Sequence, residues 1–359
     1  MNSMLKTGAL SALALALSSI LHPAHAAIED PMPAAGSTAE VPAPEATDPA
    51  VDAQSAALHQ WRGLIAQNPP PEEGCFHATY PDAWEKRDCT IGEPRVHPRH
   101  LETVGDEADI AGNGNDYVAF AKGLISSATG GLEISGVKSE QSVGVAEYGY
   151  QGILGPNEYS IQLNTNDKTS TSAWGCSGHR GCKVWQQFLY STDYVSGGVA
   201  EVYMQYWLLN YGSCPSGWNQ SGTSNCYVNS PLADAPDIPV KELGVDLAAS
   251  AQAGGNDCVT LYFGSEVISN CFRDSMLHIS SVWNKVEFNV VGDSGGSRAD
   301  FNNGTAIWPL VYIYDGSHTA PTCLANAGTT GESNNLNLGS CTTGVANGHT
   351  PYIRFKESR

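Results

Sequence analysis

The sequence predicts an all-β chain: an antiparallel β-sandwich of jelly-roll or concanavalin-like type, stapled by disulfides. Three observations point there. From Gly130 onward, runs of aromatic and β-branched residues alternate with Gly, Asn and Pro turns, and no helical period is sustained. Ten cysteines, an even number, fall in order into near neighbours, each pair able to close a hairpin or loop. Charged residues are only 15% of the chain and 38 glycines are present, the composition of a loop-rich exported β protein.

Taken in order, residues 1–26 read as a secretory signal. Lys6 precedes a short apolar run from Ala9 to Leu21, and Ala24-His25-Ala26 has the small-x-small form of a cleavage site. That run is too short to span a bilayer. Residues 27–58 are rich in Ala, Pro, Asp, Glu, Ser and Thr and are expected to be disordered, having too little apolar surface to offset ordering entropy. Residues 59–98 carry Pro69-Pro70-Pro71 and the Cys75–Cys89 pair and read as a stapled pro-segment or N-terminal arm. Residues 99–359 form the sandwich. Asp116 to Lys122 is weakly helical. Strands are expected at Ser142–Tyr150, Tyr159–Asn164, Val184–Tyr190, Val202–Asn210, Val259–Phe263, Val267–Cys271, Met276–Val291 and Ala306–Tyr314, with turns at Asn303-Gly304 and Asp315-Gly316. The cysteines are expected to pair sequentially: 75 with 89, 176 with 182, 214 with 226, 258 with 271, and 323 with 341.

The net charge is −19, and −20 once Lys6 leaves with the signal. Such a chain repels polyanions, so neither nucleic acid nor an anionic membrane is an expected partner. The expected location is outside the cell or in a periplasm, as a monomer. No Cys-x-x-Cys pair or Cys/His cluster has ligand spacing, so neither a metal nor a cofactor is expected.

Two strands carry most of the functional signal. Val184 to Tyr190 and Glu201 to Leu208 set glutamines among Trp185, Tyr203, Tyr206 and Trp207, almost without charge. Aromatic rings with neutral amides suit the floor of a cleft that holds a polymer. They equally suit a sandwich interior whose amides are satisfied by backbone. Near the C-terminal third, alternation along Trp283 to Val291 puts Val286, Phe288 and Val290 on one face. Trp283, Lys285, Glu287 and Asn289 fall on the other, as a solvated face or as a carboxylate beside an aromatic platform. Glu147, among small apolar residues, is a second carboxylate that burial could turn into an acid or base. Gly292-Asp293-Ser294-Gly295-Gly296 matches the nucleophile signature of chymotrypsin-like proteases. No histidine here stands in the context of their base, so a glycine-rich turn with local hydrogen bonds is the expected reading.

Trp185-Gln186-Gln187, Tyr203-Met204-Gln205-Tyr206-Trp207 and Cys226-Tyr227-Val228-Asn229, with Trp283 to Glu287 followed by Phe301, resemble the glutamic-peptidase clan. That clan comprises the fungal eqolisins and the neprosin proteins of plants and bacteria. The resemblance implies a secreted zymogen that cuts peptides at acid pH, with Glu287 as acid and base and Gln187 as partner of the oxyanion or water. Gln205 would be a second polar anchor, and Trp207, Trp283, Trp185 and Tyr203 would bound the substrate. The chain departs from eqolisins at Gln205, where they have Glu; an amide is no general base, so Glu287, or Glu147 in reserve, must supply the carboxylate. Two other classes share the same residues: a lectin-like sandwich that binds extracellular polysaccharide, and a glycoside hydrolase or lyase.

Overall fold

The computed structural model describes residues 49–100, 110–166 and 174–359. Among them the regular structure is nearly all β: one sheet of thirteen strands, one of nine, and a single α-helix. Pairing is antiparallel throughout, except where Arg298–Phe301 runs parallel to Ser333–Ala346. The signal segment and residues 27–48 lie outside the described residues.

Alternation builds the sandwich. Along Lys183–Ser196, Val184, Phe188 and Tyr190 enter the main core, while Trp185 and Leu189 belong to separate small clusters on the opposite face. The core joins Ile161, Leu163, Val286, Phe288 and Val290 of the smaller sheet to Leu247, Val259, Leu261, Val311 and Ile353 of the larger. Each such side chain stabilises the fold by roughly 1.5–3 kcal/mol. The sheets approach so closely at Gly130 that a Cβ there would lie 2.4 Å from the Phe288 ring. Gln186 also faces inward, donating to Asp257 Oδ2 at 3.0 Å. Interior and far face therefore each take one glutamine of the Gln186-Gln187 pair.

All five cysteine pairs are sequential neighbours, with Cα separations of 4.1 to 6.6 Å. The N-terminal arm is part of the larger sheet. Gly74–Thr79 pairs along its whole length with Glu266–Arg273, from Gly74 opposite Cys271 to Thr79 opposite Glu266. Helix Pro49–Gln67 packs Trp61 and Ile65 on Ala78 and Val267. The disorder expected to residue 58 is thus corrected from Pro49. Leu58, Trp61 and Ile65 recur at helical spacing within an Ala-rich text that masks them.

Three other expectations change. Val118–Phe120 is a strand, not a helical turn, because Lys285–Gly292 offers it a ladder. The strand at Ser142 stops at Val143 and gives way to a 3₁₀ turn, Ala146–Tyr148. Two 3₁₀ turns, Asp274–Met276 and Ile279–Ser281, occupy the start of the last expected run, and the strand begins at Lys285.

Candidate active site

Four adjacent strands bring amides and a carboxylate into one row. Gln205 on Val199–Leu209 stands opposite Gln187, Gln187 opposite Asn164 on Tyr159–Asn164, and Asn164 opposite Glu287 on Lys285–Gly292. Residues directly opposite in a ladder project to the same face, so all four share the face away from the main core. The adjoining row is Tyr203, Leu189, Gln162 and Asn289.

Hydrogen bonds fix these side chains. The Trp207 indole N–H donates to Gln187 Oε1 and Gln205 Oε1, both at 3.0 Å. Gln187 Nε2 and Asn164 Nδ2 each donate to Gln162 Oε1 at 3.2 Å. Glu287 Oε2 accepts from the Thr329 amide at 2.7 Å and its hydroxyl at 2.5 Å, with Asn164 Nδ2 at 3.5 Å. The Thr330 amide reaches Glu287 Oε1 at 3.4 Å. Such a ring of donors suits a carboxylate. The donor loop comes this close because residue 328 is glycine; a Cβ there would sit 2.9 Å from Glu287 Oε1.

Asp116 completes the acidic end. Burial, then the charges of Glu287 and Glu357, hold its carboxyl well above the usual carboxylate range. Its Oδ1 accepts from Asn289 Nδ2 at 2.6 Å and from the Gly112 amide at 2.8 Å. A polar cleft of about 240 Å³ opens over Glu287, lined also by Arg99, His100, Thr165, Asn166 and Lys285.

The chain's own residues 93–100 lie extended across this face, bonded as a peptide would be. The Arg95 amide donates to Tyr194 Oη at 2.5 Å. Gln205 acts as a surrogate strand: its Nε2 donates to Arg95 O at 2.7 Å and its Oε1 accepts from the His97 amide at 2.9 Å. On the other side the Gly295 amide donates to Val96 O and the Gly331 amide to Pro98 O, both at 2.7 Å. The His100 amide then donates to Thr329 O at 2.9 Å. His97 points inward and is fully buried.

The expected site residues divide accordingly. Glu287, Gln187, Gln205, Tyr203, Trp185 and Trp207 come to one face. The tryptophans are not open platforms: Trp185 and Trp207 are buried in a cluster with Leu209, and Val96 of the crossing segment packs on it. Trp283 is corrected outright; it lies in the main core, stacked on Phe188, because it precedes the strand and escapes its alternation. Glu147 is exposed on the 3₁₀ turn beside a separate depression that includes Arg298, and shares no lining with Glu287 except Asn115. Ser294 sits at φ 61° in a turn where its carbonyl accepts from Ser297. Asp293 departs from the local bonding expected, reaching across to Ser191 Oγ at 2.6 Å.

Asn164, Gln162, Asp116, Thr329 and His97 were not singled out by the sequence. Tyr159-Ser160-Ile161-Gln162-Leu163-Asn164 does alternate polar and apolar residues, which is the signal for the first two. Asp116, Thr329 and His97 arrive from distant loops that carry no local pattern.

No family model matches the chain, and no curated protein matches it. Among solved structures, a scytalido-glutamic peptidase crystallised with a transition-state analogue inhibitor is similar over 69% of this chain and 98% of that one. Identity is 9% and the TM-score 0.24, so the site is read from this chain's own residues.

Proposed function

We propose that the chain is a secreted, acid-acting endopeptidase of glutamic type, made latent by residues 93–100. One observation carries the reading: an extended peptide is bound through its backbone across a row that ends in a hydrogen-bonded carboxylate. The five disulfides support export to an oxidising compartment. Among the described residues no helix is long and apolar enough to cross a membrane.

In this reading Glu287 takes a proton from a water as the water oxygen attacks the scissile carbonyl carbon. The carbonyl oxygen becomes an oxyanion and accepts from the Gln187 amide N–H. Glu287 then returns the proton to the leaving nitrogen as the C–N bond breaks. Asp116, whose proton burial helps to retain, flanks Glu287 at the acidic end of the row. Gln205 anchors the substrate backbone, as it now anchors Arg95 and His97. A glycan-binding reading would use Trp283 as a platform, whereas it lies in the main core.

The test is incubation of the purified full chain with casein from acid to neutral pH, wild type against Glu287→Gln, with products read by mass spectrometry. Cuts in acid that vanish in the variant support the reading. Wild type that leaves casein intact even after loss of the 93–100 segment sinks it, as do cuts that persist in Glu287→Gln.

A further inference from the structure

His97 fills a closed pocket whose chemistry is selective. Its Nε2 lies 2.8 Å from Tyr203 Oη and 3.8 Å from Asp293 Oδ1. Its Nδ1 lies 3.3 Å from Gln162 Nε2 and 3.3 Å from Glu332 Oε1. Asp293 and Glu332 are both fully buried. Glu332 Oε2 is satisfied by the Thr330 hydroxyl at 2.6 Å, but Oε1 has no hydrogen-bond partner and is aimed at the imidazole. The ring thus stands at ion-pair distance from two buried carboxylates, a setting that favours a side chain able to carry positive charge over a neutral one. Polar groups thus face both ring nitrogens, at distances set for an imidazole.

The pocket adjoins the candidate catalytic row. Gln162, one of its walls, accepts from Gln187 and Asn164, and Asn164 in turn touches Glu287. We infer that, once residues 93–100 leave, this pocket is a side-chain subsite that selects histidine in an extended peptide, with Glu332 and Asp293 as the selecting groups. The inference rests on the reading of this face as a peptide cleft, and it adds the substrate class.

The test opens the cleft in the full-length chain by replacing residues 93–100 with eight Gly and Ser residues, folding being checked by circular dichroism. A fluorescent peptide of sequence Glu-Pro-Arg-Val-His-Pro-Arg-His is titrated in, beside versions with Leu or Lys at its fifth position. Binding at least tenfold tighter for the His peptide, with the preference lost in Glu332→Gln, is the expected result. Equal affinities, or no binding of any peptide, overturn the inference. If the opened chain does not fold, the native full-length chain nicked between Arg95 and His100 by limited proteolysis, with the segment displaced by excess competing peptide, is the receptor, and the same comparison decides. Casein cleavage is scored separately. Selective binding without cleavage removes the peptidase reading and leaves the pocket; cleavage without histidine preference does the reverse.

Discussion

At the scale of residues, Gln205 and Gly328 hold opposite ends of the site. Gln205 pairs with one backbone carbonyl and one backbone amide of the crossing segment and accepts from Trp207 as well. Replacing it with Leu strands buried polar groups, each at about 1–3 kcal/mol. Gln205→Leu is therefore expected to lower unfolding stability by about 2–4 kcal/mol and to speed proteolytic nicking within 93–100. Denaturant titration and limited proteolysis measure the two; an unchanged nicking rate would show that the amide does not hold the segment. Gly328→Ala acts on the acidic end, where a Cβ would crowd both Glu287 and Asp116. Its methyl group would press on Glu287 Oε1 and displace the Thr329 donors. Peptidase turnover should fall at least about tenfold, the scale of one lost positioning contact. Turnover equal to wild type would mean that the donor loop does not set the position of Glu287.

Among elements, strands that bury one face were legible, and those made by long-range pairing were not. Tyr159–Asn164, Lys183–Ser196, Val199–Leu209 and Ala306–Tyr314 announce themselves by β-branched and aromatic runs. Thr350–Ser358 alternates weakly and owes its ladder to Ser333–Ala346 and Ala306–Tyr314, partners that no local window contains. The same limit applies to the site. Glu287, Gln187 and Gln205 could be named from strand text, but their register could not, and the cover supplied by residues 93–100 has no sequence signature. One hairpin links element and site. Asn225–Asn229 pairs with Val199–Leu209, is tied through Cys226 to Cys214, and offers Asn229 Oδ1 to Gln205 Nε2 at 2.7 Å. Removing that disulfide by Cys214→Ser with Cys226→Ser is expected to cost about 3 kcal/mol, as for loops of similar size. Faster hydrogen exchange should then spread to the Arg95–His97 amides. Exchange confined to the hairpin would uncouple the two.

For the molecule as a whole, buried acids make stability depend on pH. Burial pushes Asp293 and Glu357 up to about 7, and Glu140 and Glu201 up to about 8. The folded state thus holds these protons more tightly than the unfolded chain does. Their stabilisation is complete below the unfolded carboxylate values near 4 and drains away as pH rises through 7 to 8. The thermal midpoint should be higher at pH 4 than at pH 8; the opposite order in scanning calorimetry would reject this account. The arm's attachment bears on what processing leaves behind. Gly74–Thr79 is zipped into the larger sheet, yet its only disulfide, Cys75–Cys89, closes within the arm itself. One cut between Arg95 and His100 therefore yields two polypeptides joined by a β-ladder and the Trp61 cluster, with no covalent link. Such a nicked protein elutes as a single species from a sizing column and parts into two bands in denaturant without any reducing agent. Stripping the smaller piece would bare the Glu266–Arg273 strand as an open edge, so a matured form that sheds it would need a new neighbour or would self-associate.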